Sequence, residues 1–194
     1  MKHLIAFIFF ILASIVVTAQ KEPNNWYFGK FAALNFNTGT PQVLYNSQMN
    51  ATEGCSSISD NNGNLLFYSD GLYVWNRNHQ RMIDPVTGTL SRIGDNSDGT
   101  QTGVIIPWPT RDSMYFVFSI GQTGGNLYYS VVNMNRNNGL GEVVTTKILL
   151  LESVCEKLTA IVHCYKRNFW AVTHKFNSDH YYAYLITPSG ISTS

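Results

Sequence analysis

Glu53, Trp108 and Glu156 are the residues of this chain best suited to meet a ligand. Glu53 stands just ahead of the run CSSIS, and Glu156 just ahead of the run LTAIV. Hydrolysis of a glycosidic bond takes two carboxyl groups roughly 5–10 Å apart across a cleft. Two chain segments built on one plan can bring their leading carboxylates to one rim. Trp108 sits between Pro107 and Pro109. Such stiff flanks hold an indole ready to stack on a sugar face or to fill a protein hot spot. All three are candidate ligand-binding residues. No catalytic residue is assigned, because the chain carries no Gly-x-Ser-x-Gly elbow, no phosphate loop and no His-Glu-x-x-His pair.

Metal chemistry is poorly provided for. His163 and His174 fall on adjacent apolar runs. With a two-residue hairpin between them, His163 faces Trp170 and His174 faces Thr159. The two rings then share a sheet face four residues apart along the strands, too far for one ion. A one-residue change of loop length puts them on opposite faces. The stretch Asp60-Asn61-Asn62-Gly63-Asn64 offers one carboxylate and no bidentate Glu, so it reads as a hairpin turn and not as a calcium loop. Neither a metal nor a cofactor is expected. Cys55, Cys155 and Cys164 are odd in number and lack a C-x-x-C spacing, which points to buried free thiols.

The elements that must position these side chains are short strands. One strand–turn–strand–loop–strand unit recurs, with copies starting near residues 55, 102 and 158. The first copy predicts strands over Cys55–Ser59, Asn64–Ser69 and Leu72–Asn76, then a long polar connection with a short strand near Leu90. The second predicts Thr102–Ile106, Met114–Ser119, Leu127–Asn133 and Glu142–Leu151. The third predicts Leu158–Cys164, Phe169–His174 and Tyr181–Thr187, with no fourth strand in the tail Pro188–Ser194. Ahead of them, Trp26–Tyr45 reads as two or three strands of an incomplete unit, with a turn at Asn37-Thr38-Gly39. No apolar i, i+3, i+4, i+7 pattern is sustained after residue 19. A repeat of about 40–50 residues holding four short strands is the signature of β-propeller blades. The expected fold is therefore all-β: an incomplete β-propeller of about three four-stranded antiparallel blades plus a partial N-terminal blade.

Residues 1–19 read as a helical secretory signal peptide: a basic start at Lys2, an apolar run from Leu4 to Val17, and small residues before a cut that leaves Gln20 first. Residues 20–25 form a linker and 26–194 the partial propeller domain. The chain is expected to be exported, to the periplasm, the cell surface or the medium, with no membrane span once the signal is cleaved. Charged residues make up only 13% of the chain and the net charge is +1, which argues against a nucleic-acid partner.

Three blocks carry a family resemblance: NNWYFGKFAALNFNTG, EGCSSISDNNGNLLFYSDGLYVWNRNHQRM and CEKLTAIVHCYKRNFWAVTHKFNSDHYYAYLIT. In their order they resemble the N-terminal propeller region, WD-repeat-like or YVTN-like, of large secreted Bacteroidetes proteins. Those proteins usually end in a gliding-motility-associated, type B sorting domain for type IX secretion. The resemblance implies a propeller on an exported, adhesin-like or cell-surface protein, and it carries no catalytic residues. The chain departs from that family after the third unit, where members continue with more blades and the sorting domain. It is thus expected to be truncated, leaving sheet edges open to the missing C-terminal part or to self-association.

The expected function is non-enzymatic binding or scaffolding, with an extracellular glycan or protein as partner. Two alternatives stand beside it: a carbohydrate-active hydrolase or lyase working in the propeller channel, and a fragment without independent function.

Overall fold

The computed structural model describes residues 20–193, so the signal peptide expected at 1–19 lies outside the described residues. The chain is all-β. Among the described residues fourteen strands form four antiparallel sheets in chain order. The first sheet holds β1 (Asn25–Phe28), β2 (Ala32–Asn35) and β3 (Gln42–Leu44). The second holds β4 (Ser56–Ser59), β5 (Leu65–Ser69) and β6 (Val74–Asn76). The third holds β7 (Val104–Pro107), β8 (Met114–Ile120), β9 (Leu127–Asn133) and β10 (Glu142–Leu151). The fourth holds β11 (Val154–Val162), β12 (Phe169–Lys175), β13 (Tyr181–Thr187) and β14 (Gly190–Thr193). Each sheet is an up-and-down meander, and among the described residues the only helical turn is Asn137–Gly139.

The period-two alternation of the strands explains how the sheets stack. In β5, Phe67 packs toward the third sheet with Val74, Val117 and Val132. The next residue, Tyr68, packs toward the first sheet with Tyr27, Ala33 and Trp75. In β8, Tyr115 and Val117 face the second sheet, whereas Phe116, Phe118 and Ile120 face the fourth, where they meet Val154, Ala171, Tyr184 and Ile186. Sheets covered on both faces need apolar side chains at consecutive positions, hence the unbroken runs LLFY and MYFVF. Rings lock the first interface: Tyr27 stacks on Tyr68 at 4.4 Å, and Tyr68 lies nearly parallel to Trp75 at 5.6 Å. Burial raises the Tyr68 phenol to about 12, and its oxygen accepts from Gln48 N at 3.2 Å.

The first strands of the sheets sit side by side. β4, β7 and β11 run in one direction: Gly54 N donates to Gly99 O, and Thr100 N to Glu156, at their leading ends. β1 runs the other way. Its Asn25 Nδ2 donates to Ser59 Oγ and its Tyr27 N to Ser57 Oγ, so its start lies beside the end of β4.

The structure departs from the sequence expectations in four places. The third unit does have a fourth strand, β14, which pairs Gly190–Thr193 with Tyr184–Thr187. The preceding turn needs Gly190 at φ +117°, a conformation that only glycine adopts readily. The first unit has three strands plus isolated bridges Trp75–Arg81 and Ile83–Leu90 in place of a fourth. The β11–β12 connection is longer than a two-residue hairpin: His163 N donates to Asn168 O, so His163 lies opposite Asn168 and not Trp170. The thiols are free but not buried: Cys55 and Cys155 are half-buried and Cys164 is exposed.

Candidate functional site

Two ends of the β4–β7–β11 row carry polar chemistry, and they differ in kind. At the leading end, the loop before β7 brings Glu53 and Glu156 together on one hydroxyl. Thr100 Oγ1 lies 2.7 Å from Glu156 Oε2 and 3.0 Å from Glu53 Oε2. It has one proton for two acceptors, so the two carboxylates are held within two hydrogen-bond lengths of each other. Glu156 is otherwise saturated. Its Oε2 also accepts from Thr100 N at 3.0 Å, and its Oε1 accepts from both the N–H and the hydroxyl of Thr123 at 2.6 Å. The Thr123 hydroxyl, then the donors of Thr100, pull its carboxyl from 4.5 down to about 2. A general acid in glycoside cleavage needs the opposite displacement. The same loop is tied down by Thr52 Oγ1, which donates to Asp98 Oδ1 at 2.7 Å, and by the Lys147–Asp95 ion pair. This end is a clasp joining the second, third and fourth sheets.

The trailing end is open. A cavity of about 760 Å³ is bounded by the segment before β1 (Gln20, Glu22, Pro23), by Pro107 at the end of β7, and by Val162, His163, Lys166 and Phe169 around the β11–β12 turn. A second cavity of about 540 Å³ shares Glu22 and Pro107 with it and runs on past Asp60, Trp108 and Arg111. Sharing these residues, they make a groove across the ends of β4, β7 and β11, and each cavity is in the size range of small-molecule sites. Glu22 lines both cavities, and its Oε2 is buried without a hydrogen-bond partner, one of two such side-chain atoms among the described residues. An unsatisfied buried acceptor costs free energy until a donor arrives.

Trp108 lines that groove, but it is not held free for stacking. It is half-buried, its ring meets Phe116 at 4.5 Å, and the Arg111 guanidinium lies 4.0 Å over it. Its Nε1 donates to Pro188 O at 3.1 Å, fastening the third sheet to the β13–β14 turn. The Asp60 stretch forms the β4–β5 turn, with its carboxylate accepting from the N–H groups of Asn62 and Asn64. His174 Nδ1 meets Cys155 Sγ at 3.3 Å, whereas His163 sits at the other end of the fourth sheet against Trp170. Among the described residues no group of three or more His, Cys, Asp or Glu is placed to hold a metal ion.

Sequence reasoning pointed to Glu53, Glu156 and Trp108 and passed over Thr100, Thr123 and Glu22. The two threonines are ordinary polar residues in Gly-rich loops, and nothing in their neighbours marks them. Glu22 stands in a stretch that reads as a linker. Its one legible signal is that it is the only acidic residue before Glu53. No protein-family model, no curated protein and no solved structure matches this chain.

Proposed function

We propose that the chain is an exported, propeller-type binding module without enzymatic activity, and that the groove at the trailing end of β4, β7 and β11 holds its ligand. The observation that carries this reading is the open groove itself, with its aromatic and basic walls and with Glu22 and Pro107 shared along its length. Phe169 and Trp108 supply apolar surface, Lys166 and Arg111 supply donors, and Glu22 supplies a carboxylate. That mixture suits a short glycan segment or peptide presenting hydroxyl or N–H groups. The propeller reading is supported by the serial meander sheets and by the parallel course of β4, β7 and β11, the first strands of three successive sheets. Residues 1–19 supply the export signal. The hydrolase alternative is weakened by Glu156, which is saturated with donors and held anionic.

The test is a thermal-shift and calorimetric screen of the purified chain against glycan and peptide panels. Glu22→Gln and Lys166→Ala are expected to weaken any ligand found by roughly tenfold each, and Glu53→Gln to leave it unchanged. A ligand indifferent to both groove substitutions would overturn the site. Turnover that vanishes in Glu53→Gln or Glu156→Gln would overturn the non-enzymatic reading.

A further inference from the structure

Among the described residues, the second and third sheets are covered on both faces, whereas the first and fourth are each covered on one. On the first sheet, Tyr27, Ala33 and Leu44 pack toward the second sheet. The residues between them form a row across the three strands on the opposite face, Trp26–Leu34–Val43. Trp26 is 51% exposed and Val43 58% exposed. On the fourth sheet, Leu158, Ala171, Tyr184 and Ile186 pack toward the third. The opposite face carries a matching row, Ile161–Trp170–Leu185, and Ile161 is 56% exposed. Each row has one tryptophan and two aliphatic residues, and neither contains a charge. Both rows resemble, in residue type, the faces that make the three interfaces inside the chain.

We propose that these faces are covered by a second copy of this chain, the first sheet of each copy packing on the fourth sheet of its partner. This contact is the next one in the series first-on-second, second-on-third, third-on-fourth, so it continues an interface the molecule already makes three times. Because the two complementary faces lie on one molecule, a pair of copies makes the contact twice and closes on a two-fold axis. Four sheet faces, two on each copy, are thereby covered, with their apolar rows taken out of water. The inference rests on the order of the sheets and not on the ligand groove.

Light scattering after gel filtration of the purified chain is expected to give the mass of two chains. Val43→Lys spoils only the first-sheet face and Ile161→Glu only the fourth-sheet face. Both positions are more than half exposed, so the melt of the single chain should be retained, and each variant alone should lose self-association by tenfold or more. Mixed together, the two variants restore a dimer, because the fourth-sheet face of the lysine variant and the first-sheet face of the glutamate variant are both intact. A monomeric wild type would overturn the proposal. So would an open series of higher oligomers, or loss of the dimer in one variant only, which marks pairing of like faces.

Discussion

Thr100 Oγ1 lies 2.7 Å from Glu156 Oε2, tying the loop that leads into β7 to the first strand of the fourth sheet. Thr123 secures the other oxygen of the same carboxylate from the β8–β9 loop. Four donor contacts on one side chain hold three segments together at this end. Hydrogen bonds to a charged group are the stronger kind, and they last only while the group is charged.

The clasp should therefore fail in acid. The folded-state pKa of Glu156, about 2, lies below its ordinary value of 4.5, so its contribution to stability is fully present above pH 4.5 and disappears as the pH falls through 2. Glu156→Gln should be less stable than wild type at pH 7 and equal to it near pH 2. Asp60, Asp84 and Asp95 are also held below the usual carboxylate range and lose stability in the same direction. They are common to both proteins and cancel in the difference. Melting curves from pH 7 to pH 2 check this, and parallel curves across that range would contradict it.

The loop that carries Thr100 reaches its place through a glycine. A Cβ on Gly99 would stand 2.4 Å from Ile120 O, a backbone atom that cannot swing aside. Gly99→Ala should cost about 1–3 kcal/mol, the range for overpacking a close contact. Gly121, one residue beyond Ile120, is the control. A Cβ there meets nothing closer than 3.8 Å, and Gly121→Ala should be neutral or stabilising by about 0.5 kcal/mol through the unfolded state. Chemical denaturation of the two variants separates the effects, and equal stabilities would show that the close approach is not required.

Much of the strand layout is legible in the residues, because apolar runs here are bounded by Gly, Asn and Asp. β9, β10 and β13 begin and end where the sequence places them, at Leu127–Asn133, Glu142–Leu151 and Tyr181–Thr187. β14 was hidden because Gly-Ile-Ser-Thr offers one apolar side chain, and its pairing is set by the turn at Gly190 and by the waiting edge of β13. The meeting of Glu53 with Glu156 follows from their equivalent places ahead of two apolar runs. What unites them, Thr100, comes from a loop whose path is fixed by tertiary contacts. The reversed course of β1 is likewise beyond a reading of local pattern, since alternation gives the faces of a strand and not its direction.

Trp108 gives a clear contrast between packing and recognition. Its contacts with Phe116, Arg111 and Pro188 O make it a fastener between the third sheet and the β13–β14 turn. Trp108→Ala should destabilise the chain by about 2–4 kcal/mol, somewhat below the usual figure for a fully buried ring. Trp108→Phe, which keeps the contact with Phe116 and loses the N–H, should cost about 1 kcal/mol. Urea titrations of both variants check this, and an alanine variant as stable as wild type would return Trp108 to the role of a free stacking surface.

The three thiols should differ in reactivity by their surroundings. Cys164 is exposed in the β11–β12 turn, with the His163 ring beside its sulfur. Cys55 is half-buried, and burial raises its pKa, which lowers the thiolate fraction available to react. Cys155 is half-buried, with Sγ 3.3 Å from His174 Nδ1 and 3.7 Å from Lys175 O, so its approach is hindered on two sides. An aromatic disulfide reagent at pH 8 should therefore titrate one thiol quickly and two slowly. Cys164→Ser should remove the fast phase, and denaturant should merge all three. A fast phase that survives Cys164→Ser would overturn this order of reactivity.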